Sequence, residues 1–277
     1  MPYDNYSALR VKIDAGVALV TIDHPPLNVY DAALITDLHH FAAAVSDDKQ
    51  VRVIVLQSAD PEFFICHGDM NFVTNPDSLM SLADADGDPQ MNPMEQLHER
   101  FRRLPQITIA KVAGLVRGGG NELTMSLDMR FAAQGQAGFA HPEVLGGIIP
   151  GGGGTQYLPR LVGRARSLEA ILGAGLYDAE LAERYGWINR ALPAKELDGF
   201  VDVLARRIAA LPPAVIAAAK AAVDATAEPL TNGLREENTL LGEVFQAPAV
   251  ERTLAILKAG GQTRERERNL EGLLNSL

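Results

Sequence analysis

The stretch from Ile109 to Leu123 limits the fold more than any other part of this 277-residue chain. A strand pattern, Ile109-Ala110-Lys111-Val112, runs through Ala113-Gly114-Leu115-Val116-Arg117 into three consecutive glycines, Gly118-Gly119-Gly120, and on into Asn121-Glu122-Leu123 at the head of an amphipathic helix. A strand handed to a helix through bare backbone belongs to an α/β architecture and leaves main-chain NH groups open to a ligand at the junction. The free NH groups of a helix start carry roughly half a positive charge, which suits an anionic oxygen. Glu122 is expected in the first turn of that helix, where the dipole would favour its ionised form.

The rest of the chain repeats the alternation. Leu9, Val11 and Ile13 alternate with polar neighbours, and Ala15-Gly16 leads into Val17 to Ile22, which reads as a hairpin. Leu34, Leu38, Phe41, Ala42 and Val45 recur at helical spacing, and Val51 to Gln57 forms a continuous strand candidate. Asn92-Pro93-Met94-Glu95 is a helix start with a capping residue, a proline in the first turn and a glutamate three residues on. A strand follows over Ile107 to Val112. Between Asn71 and Gln90 the sequence is rich in Asp, Pro and Ser without periodicity, and we read it as a mobile lid. Strand signals stop near residue 200, so residues 1–199 are expected to form the α/β core and residues 200–277 a helical region that serves assembly.

Composition removes several classes of function. A net charge of -10 without a dense basic run argues against nucleic acid, since Arg264-Glu265-Arg266-Glu267-Arg268 alternates in sign. No apolar run reaches the ~20 residues needed to cross a bilayer, so no membrane partner is expected. Cys66 is the single cysteine, and the first residues lack a secretory profile, which points to the cytoplasm.

Two further stretches join the glycine junction. Phe63-Phe64-Ile65-Cys66-His67-Gly68-Asp69-Met70 follows a strand candidate and offers a second NH donor. His141-Pro142-Glu143, followed by Pro150 and Gly151-Gly152-Gly153-Gly154-Thr155-Gln156, sets a carboxylate beside a glycine-rich turn. In order and content the three resemble the enoyl-CoA hydratase/isomerase (crotonase) superfamily over roughly residues 8–193. The resemblance implies a spiral of β-β-α turns with a C-terminal helical region, and assembly as a homotrimer or a dimer of trimers. It implies an oxyanion hole from the amides of Gly68 and Gly119, and Glu122 and Glu143 as the two acids that add water to a 2-enoyl-CoA. Cys66, His67, Asp69, Met70, Asn71 and Gly151 would contact the acyl-CoA. No separate cofactor and no metal are implied, because coenzyme A enters with the substrate. An isomerase, a lyase, a hydrolase or an inactive acyl-CoA binder on the same scaffold stand as alternatives. His67, Arg117 and His141 depart from the family pattern, and one extra residue separates Glu122 from Glu143, with Ala133 to Gly138 as the loop that would absorb it.

Other sharp readings fail on chemistry. His141-x-Glu143 lacks the cysteine pair of a zinc deaminase, and Asp84, Asp86, Asp88 and Glu95 form a calcium-type spacing with Pro89 where glycine is required. Gly151 to Gly154 lacks the Lys-Ser or Lys-Thr of a nucleotide loop. Met70, Met80, Met91 and Met94 are candidates to line an acyl tunnel.

Overall fold

The computed structural model describes residues 3–224, 234–235, 237–239, 241–242 and 247–277. The described residues form ten strands: β1 Leu9–Asp14, β2 Val17–Ile22, β3 Val53–Ser58, β4 Phe63–Ile65, β5 Ile107–Val112, β6 Leu115–Arg117, β7 Met129–Ala133, β8 Gly138–Ala140, β9 Tyr177–Asp178 and β10 Arg190–Leu192. Helices α1 Ala32–Ser46, α2 Asn71–Thr74, α3 Pro76–Met80, α4 Pro93–Arg103, α5 Gly118–Ser126, α6 Gly154–Val162, α7 Arg164–Gly173, α8 Ala179–Tyr185, α9 Ala194–Ala209 and α10 Pro213–Asp224 lie between and after them. Further helical segments span Ala247–Lys258, Arg264–Glu267 and Leu270–Asn275.

The strands sort into two sheets by a repeated step. A long strand joins the larger sheet, ordered β1-β2-β3-β5-β7-β10, and a short strand then joins the smaller one, ordered β4-β6-β8-β9. β3 and β4, β5 and β6, and β7 and β8 are three successive executions of this step. The turn between β5 and β6 must pass close to the turn before β4. A Cβ on Gly114 would stand 2.6 Å from the Glu62 carbonyl, so only glycine fits there. β4, β6 and β8 run parallel, with Ile65 opposite Val116 and Arg117 opposite Ala140. Their carboxyl ends therefore deliver three consecutive loops to one place, where parallel sheets bind ligands.

Sequence accounts for the local structure around this frame. Asp31 caps α1 by accepting from the Leu34 amide, and Leu34, Leu38, Phe41, Ala42 and Val45 are buried as their spacing predicts. Burying each large side chain of such a stripe contributes about 1.5–3 kcal/mol. Asn92 and Glu95 close the expected capping box on α4. The segment expected to absorb an extra residue before Glu143 forms the turn between β7 and β8, where Gly135 takes φ +69°.

Two expectations change. The stretch from Asn71 to Gln90 is partly helical, as α2 and α3, and its acidic turn is pinned to α4 by Asp84 with Arg100 and by the Asp84 amide with Gln96 Oε1. Short helices of four and five residues show too few turns for a periodicity to be read. The division drawn at residue 199 falls inside α9, whose Leu197, Val201, Ala205 and Ala209 pack on Val53, Val55, Ile109 and Phe131 of the larger sheet. α10 is fixed to the same body by Lys220 Nζ, which donates to Asp128 Oδ2 at 2.9 Å and to the Gln106 carbonyl at 3.2 Å. No helix among the described residues is long and apolar enough to cross a membrane.

Candidate active site

The three loops at the ends of β4, β6 and β8 enclose a cavity of about 890 Å³, including its mouth. Gly68, Gly119, Glu122 and Glu143 all line it. Its remaining wall is largely apolar, from Phe72, Val73 and Leu79 on one side and Ile256, Leu270 and Leu274 of the C-terminal helices on the other.

Gly68 is presented by a single parallel bridge to Tyr30. The Tyr30 amide donates to the His67 carbonyl at 2.9 Å, and the Asp69 amide donates to the Tyr30 carbonyl at 3.1 Å. Both neighbouring peptides are thereby held, and the Gly68 NH has no acceptor among the described residues. Gly119 stands at the start of α5, where an NH has no intrahelical partner. A Cβ there would approach the Tyr30 ring at 3.0 Å and Met94 Sδ at 3.1 Å, so the backbone is bare because the space beside it is filled.

Glu122 lies one turn deeper in α5 than the sequence suggested, and α5 has no acid in its first turn. It is buried, and burial, followed by the charge of Glu143, pushes its carboxyl up to about 7. Desolvation therefore outweighs the helix dipole that was expected to favour the ionised form. The amides of Gly152 and Gly154 both donate to Glu122 Oε1 at 2.8 Å, partly offsetting that rise. A Cβ on Gly152 would sit 2.6 Å from Glu122 Oε2 and one on Gly154 2.8 Å from Oε1, so the glycine run is the mould of this carboxylate.

The mould is itself clamped. Asn92 Nδ2 donates to the Gly151 carbonyl at 2.5 Å, and Glu237 Oε1 accepts from the Gly153 amide at 2.5 Å. Glu237 Oε2 accepts from the amide of Thr155 at 2.7 Å and from its hydroxyl. His98 Nδ1 donates to the Gly152 carbonyl at 2.6 Å, which leaves Nε2 to accept from the Tyr30 hydroxyl at 3.0 Å. Burial holds His98 down at about 4, consistent with that neutral tautomer. Glu95 is pushed up to about 8 by burial and by Glu122, although the Asn92 amide opposes the shift.

Glu143 opens the 3-10 turn Glu143–Gly146, and neither of its carboxylate oxygens has a hydrogen-bond partner among the described residues. His141 is fully buried, stacked on Trp187 at 5.7 Å between ring centroids. Asn121 Nδ2 donates to its Nε2 at 3.2 Å, which places its proton on Nδ1, 3.5 Å from Glu143 Oε2.

Of the residues expected to contact an acyl-CoA, His67, Asp69, Met70 and Gly151 line the cavity. Cys66 does not: it is buried against Leu27 and Phe63, because it is the residue by which the loop leaves β4. Asn71 begins α2 and spends its amide and side chain on Asp69 Oδ1, both at 2.9 Å, outside the cavity wall. Met70 and Met94 line the cavity, whereas Met91 is in the core and Met80 is exposed. Sequence reasoning missed Tyr30, His98, Glu237 and Glu267. Glu237 and Glu267 sit in charged stretches that read as solvated surface, and nothing in a single sequence marks them as buried.

Comparisons with known proteins identify the chain's relatives. Residues 12–258 match the sequence model of the enoyl-CoA hydratase/isomerase family. A "Probable enoyl-CoA hydratase" of Rhizobium meliloti is 34% identical over 246 residues, covering 87% of this chain and 91% of its own length. A crotonyl-CoA hydratase of Syntrophomonas wolfei is 30% identical over 209 residues, covering 75% and 76%. The crystal structure of a Streptomyces avermitilis protein assigned as an enoyl-CoA hydratase superposes with a TM-score of 0.93 at 49% identity, over 98% of both chains.

Proposed function

The chain belongs to the enoyl-CoA hydratase/isomerase family and is an enzyme of the crotonase superfamily, and on that premise we propose that it adds water across the 2,3 double bond of a 2-enoyl-CoA thioester. One observation carries the proposal: two carboxylates from different elements, Glu122 of α5 and Glu143 of the turn after β8, line the same cavity as two unengaged backbone amides, those of Gly68 and Gly119.

In this reading the two amides take the thioester oxygen as negative charge builds on it. A preorganised donor of this kind is typically worth ~100–1,000-fold in rate. Water enters between the carboxylates, one taking its proton as oxygen attacks C3 and the other supplying a proton to C2. Glu122 suits such exchange because its carboxyl sits near neutrality, where the gain and loss of a proton are closely balanced. The acyl chain lies along Phe72, Val73, Leu79, Ile256, Leu270 and Leu274, a wall that favours an unsubstituted hydrocarbon over a charged or hydroxylated acyl group. Coenzyme A enters as part of the substrate and no separate cofactor is needed. Self-association completes the proposal. Val203 and Val215, both more than half exposed, and Leu211 give the 200–224 region an apolar face suited to a second copy of the chain in a trimer or a dimer of trimers.

The test is turnover of straight-chain trans-2-enoyl-CoA esters in water labelled with deuterium and ¹⁸O, with products read by mass spectrometry. A 3-hydroxyacyl-CoA carrying one ¹⁸O and one carbon-bound deuterium is expected, with kcat lowered at least ~100-fold in Glu122→Gln and in Glu143→Gln. A product without ¹⁸O would make the enzyme an isomerase, and variants with unchanged kcat would reject both acids.

A further inference from the structure

Beside the oxyanion donors lies a buried ionic chain that the hydration chemistry does not use. His67 Nδ1 stands 2.8 Å from the Gly68 carbonyl, and its Nε2 stands 2.9 Å from Glu267 Oε1. The same Glu267 oxygen accepts from the Gln262 amide at 2.8 Å, and Glu267 Oε2 lies 3.9 Å from Arg117 Nη1. Arg117, the residue before Gly118, donates from Nη2 to the Glu267 carbonyl at 3.0 Å and from Nε to Glu271 Oε1 at 2.9 Å. His67, Arg117 and Glu267 are all buried.

The proton count on His67 follows from its partners. A carbonyl oxygen can only accept, and Glu267, surrounded by a guanidinium and a backbone NH, is a carboxylate that can only accept. Both imidazole nitrogens must therefore donate, so the ring is an imidazolium. Burial opposes that charge, but Cys66 and Glu267 outweigh it and hold His67 well above its ordinary value; burial likewise opposes the Glu267 charge, and His67 and the Gln262 amide hold its carboxyl below the usual range. Cys66 Sγ also lies within 4.8 Å of the facing His67 and Glu267 atoms. That set could in principle hold a cation, but the guanidinium of Arg117 beside Glu267 already supplies the positive charge.

We propose that His67 is a positioning residue of the oxyanion hole, a fixed imidazolium that grips the Gly68 carbonyl so that the Gly68 NH faces the thioester, with Glu267 of the C-terminal segment as its anchor. The proposal rests on the oxyanion reading above. Tyr30 bonds the His67 carbonyl and the Asp69 amide, which flank Gly68, and the His67 ring takes the carbonyl of Gly68 itself, so both peptides that meet at Gly68 are fixed. Because Glu267 also meets Arg117, one carboxylate joins the approaches to both amide donors. The hole is thereby made dependent on a helix more than 140 residues further along the chain.

Glu267→Gln is the discriminating variant, since glutamine keeps the shape, its oxygen at the Oε1 position still accepts from the Gln262 amide and from His67 Nε2, and the charge that keeps the second proton on His67 is gone. The charged and titratable groups around the ring are Cys66 and Asp69 on its own loop, Glu143 across Gly118, Glu267, and Arg117 with Glu271 behind it. With Glu267 neutralised, kcat is expected to fall about tenfold at pH 8 with KM changed less than about threefold. A new loss of activity should also appear as pH rises past the ordinary histidine range near ~6.5, absent from the wild type. In His67→Ala, the infrared band of a saturated acyl-CoA labelled with ¹³C at its thioester carbonyl should move back toward its free frequency. A wild-type band at the free frequency would overturn the oxyanion reading and this proposal with it. A wild-type shift retained in full by His67→Ala, or an unchanged pH profile and kcat in Glu267→Gln, would overturn the proposal alone. Melting curves establish that each variant is folded, and if His67→Ala is not, Glu267→Gln decides.

Discussion

Glu122 is held in a state its residue type does not prefer, and that has a thermodynamic sign. Its folded-state pKa of about 7 lies above the 4.5 of an exposed glutamate, so between these values the folded protein binds more protons than the unfolded chain. Stability is therefore lost as pH rises from about 4.5 to about 7. Glu122→Gln keeps an oxygen for the Gly152 and Gly154 amides and removes the buried charge. We expect it to melt higher than wild type at pH 8, by the equivalent of roughly 1–3 kcal/mol, and nearly level with it at pH 4.5, as read by calorimetry at both pH values. His98 acts with the opposite slope, since a ring held down at about 4 costs stability as pH falls from 6.5 toward 4. At this scale the family resemblance singled out Gly68, Gly119, Glu122 and Glu143, which the fold brings to one cavity, but the ionisation of the acids was not legible. The rise in Glu122 comes from burial and from Glu143, twenty-one residues away, and the role of Glu267 comes from a histidine two hundred residues away. Neither is a local property.

Among elements, the Gly151 to Gly154 turn is the most exacting. Its main chain meets Asn92, His98, Glu122 and Glu237 from three different parts of the chain. Gly152→Ala would bring a methyl to 2.6 Å from Glu122 Oε2 and 3.0 Å from the His98 ring, both enclosed groups with little room to move. We expect kcat to fall more than tenfold with a destabilisation of about 1–3 kcal/mol, checked by steady-state kinetics alongside denaturant melts. Strands and long helices were legible because their pattern extends over several residues: β5 matches its expected bounds, and α4 starts at the predicted cap. The short helices α2 and α3 were not legible, and the bounds of α5 were misjudged because glycine gives no periodicity to count.

For the whole molecule, the arrangement of two sheets explains how three motifs separated in sequence come to line one cavity. Each follows one of the mutually parallel strands β4, β6 and β8 of the smaller sheet, so one register places all three. The α/β class was readable from alternation. The partition into two sheets was not, because strand pairing is a long-range choice. The C-terminal helices close the cavity with Ile256, Leu270 and Leu274, while Val203, Leu211 and Val215 stay exposed, the surface proposed for assembly. Light scattering after gel filtration should give the mass of a trimer or hexamer, and Val215→Asp should shift it toward smaller species. A monomeric wild type would contradict that assignment. The proposed hydration requires two amides to meet one carbonyl oxygen, and a crystal structure with a bound acyl-CoA tests this most directly. It should place the thioester oxygen within about 3.2 Å of both the Gly68 and Gly119 nitrogens, with the Glu122 and Glu143 carboxylates beside C2 and C3. A thioester oxygen bound away from either amide would contradict it.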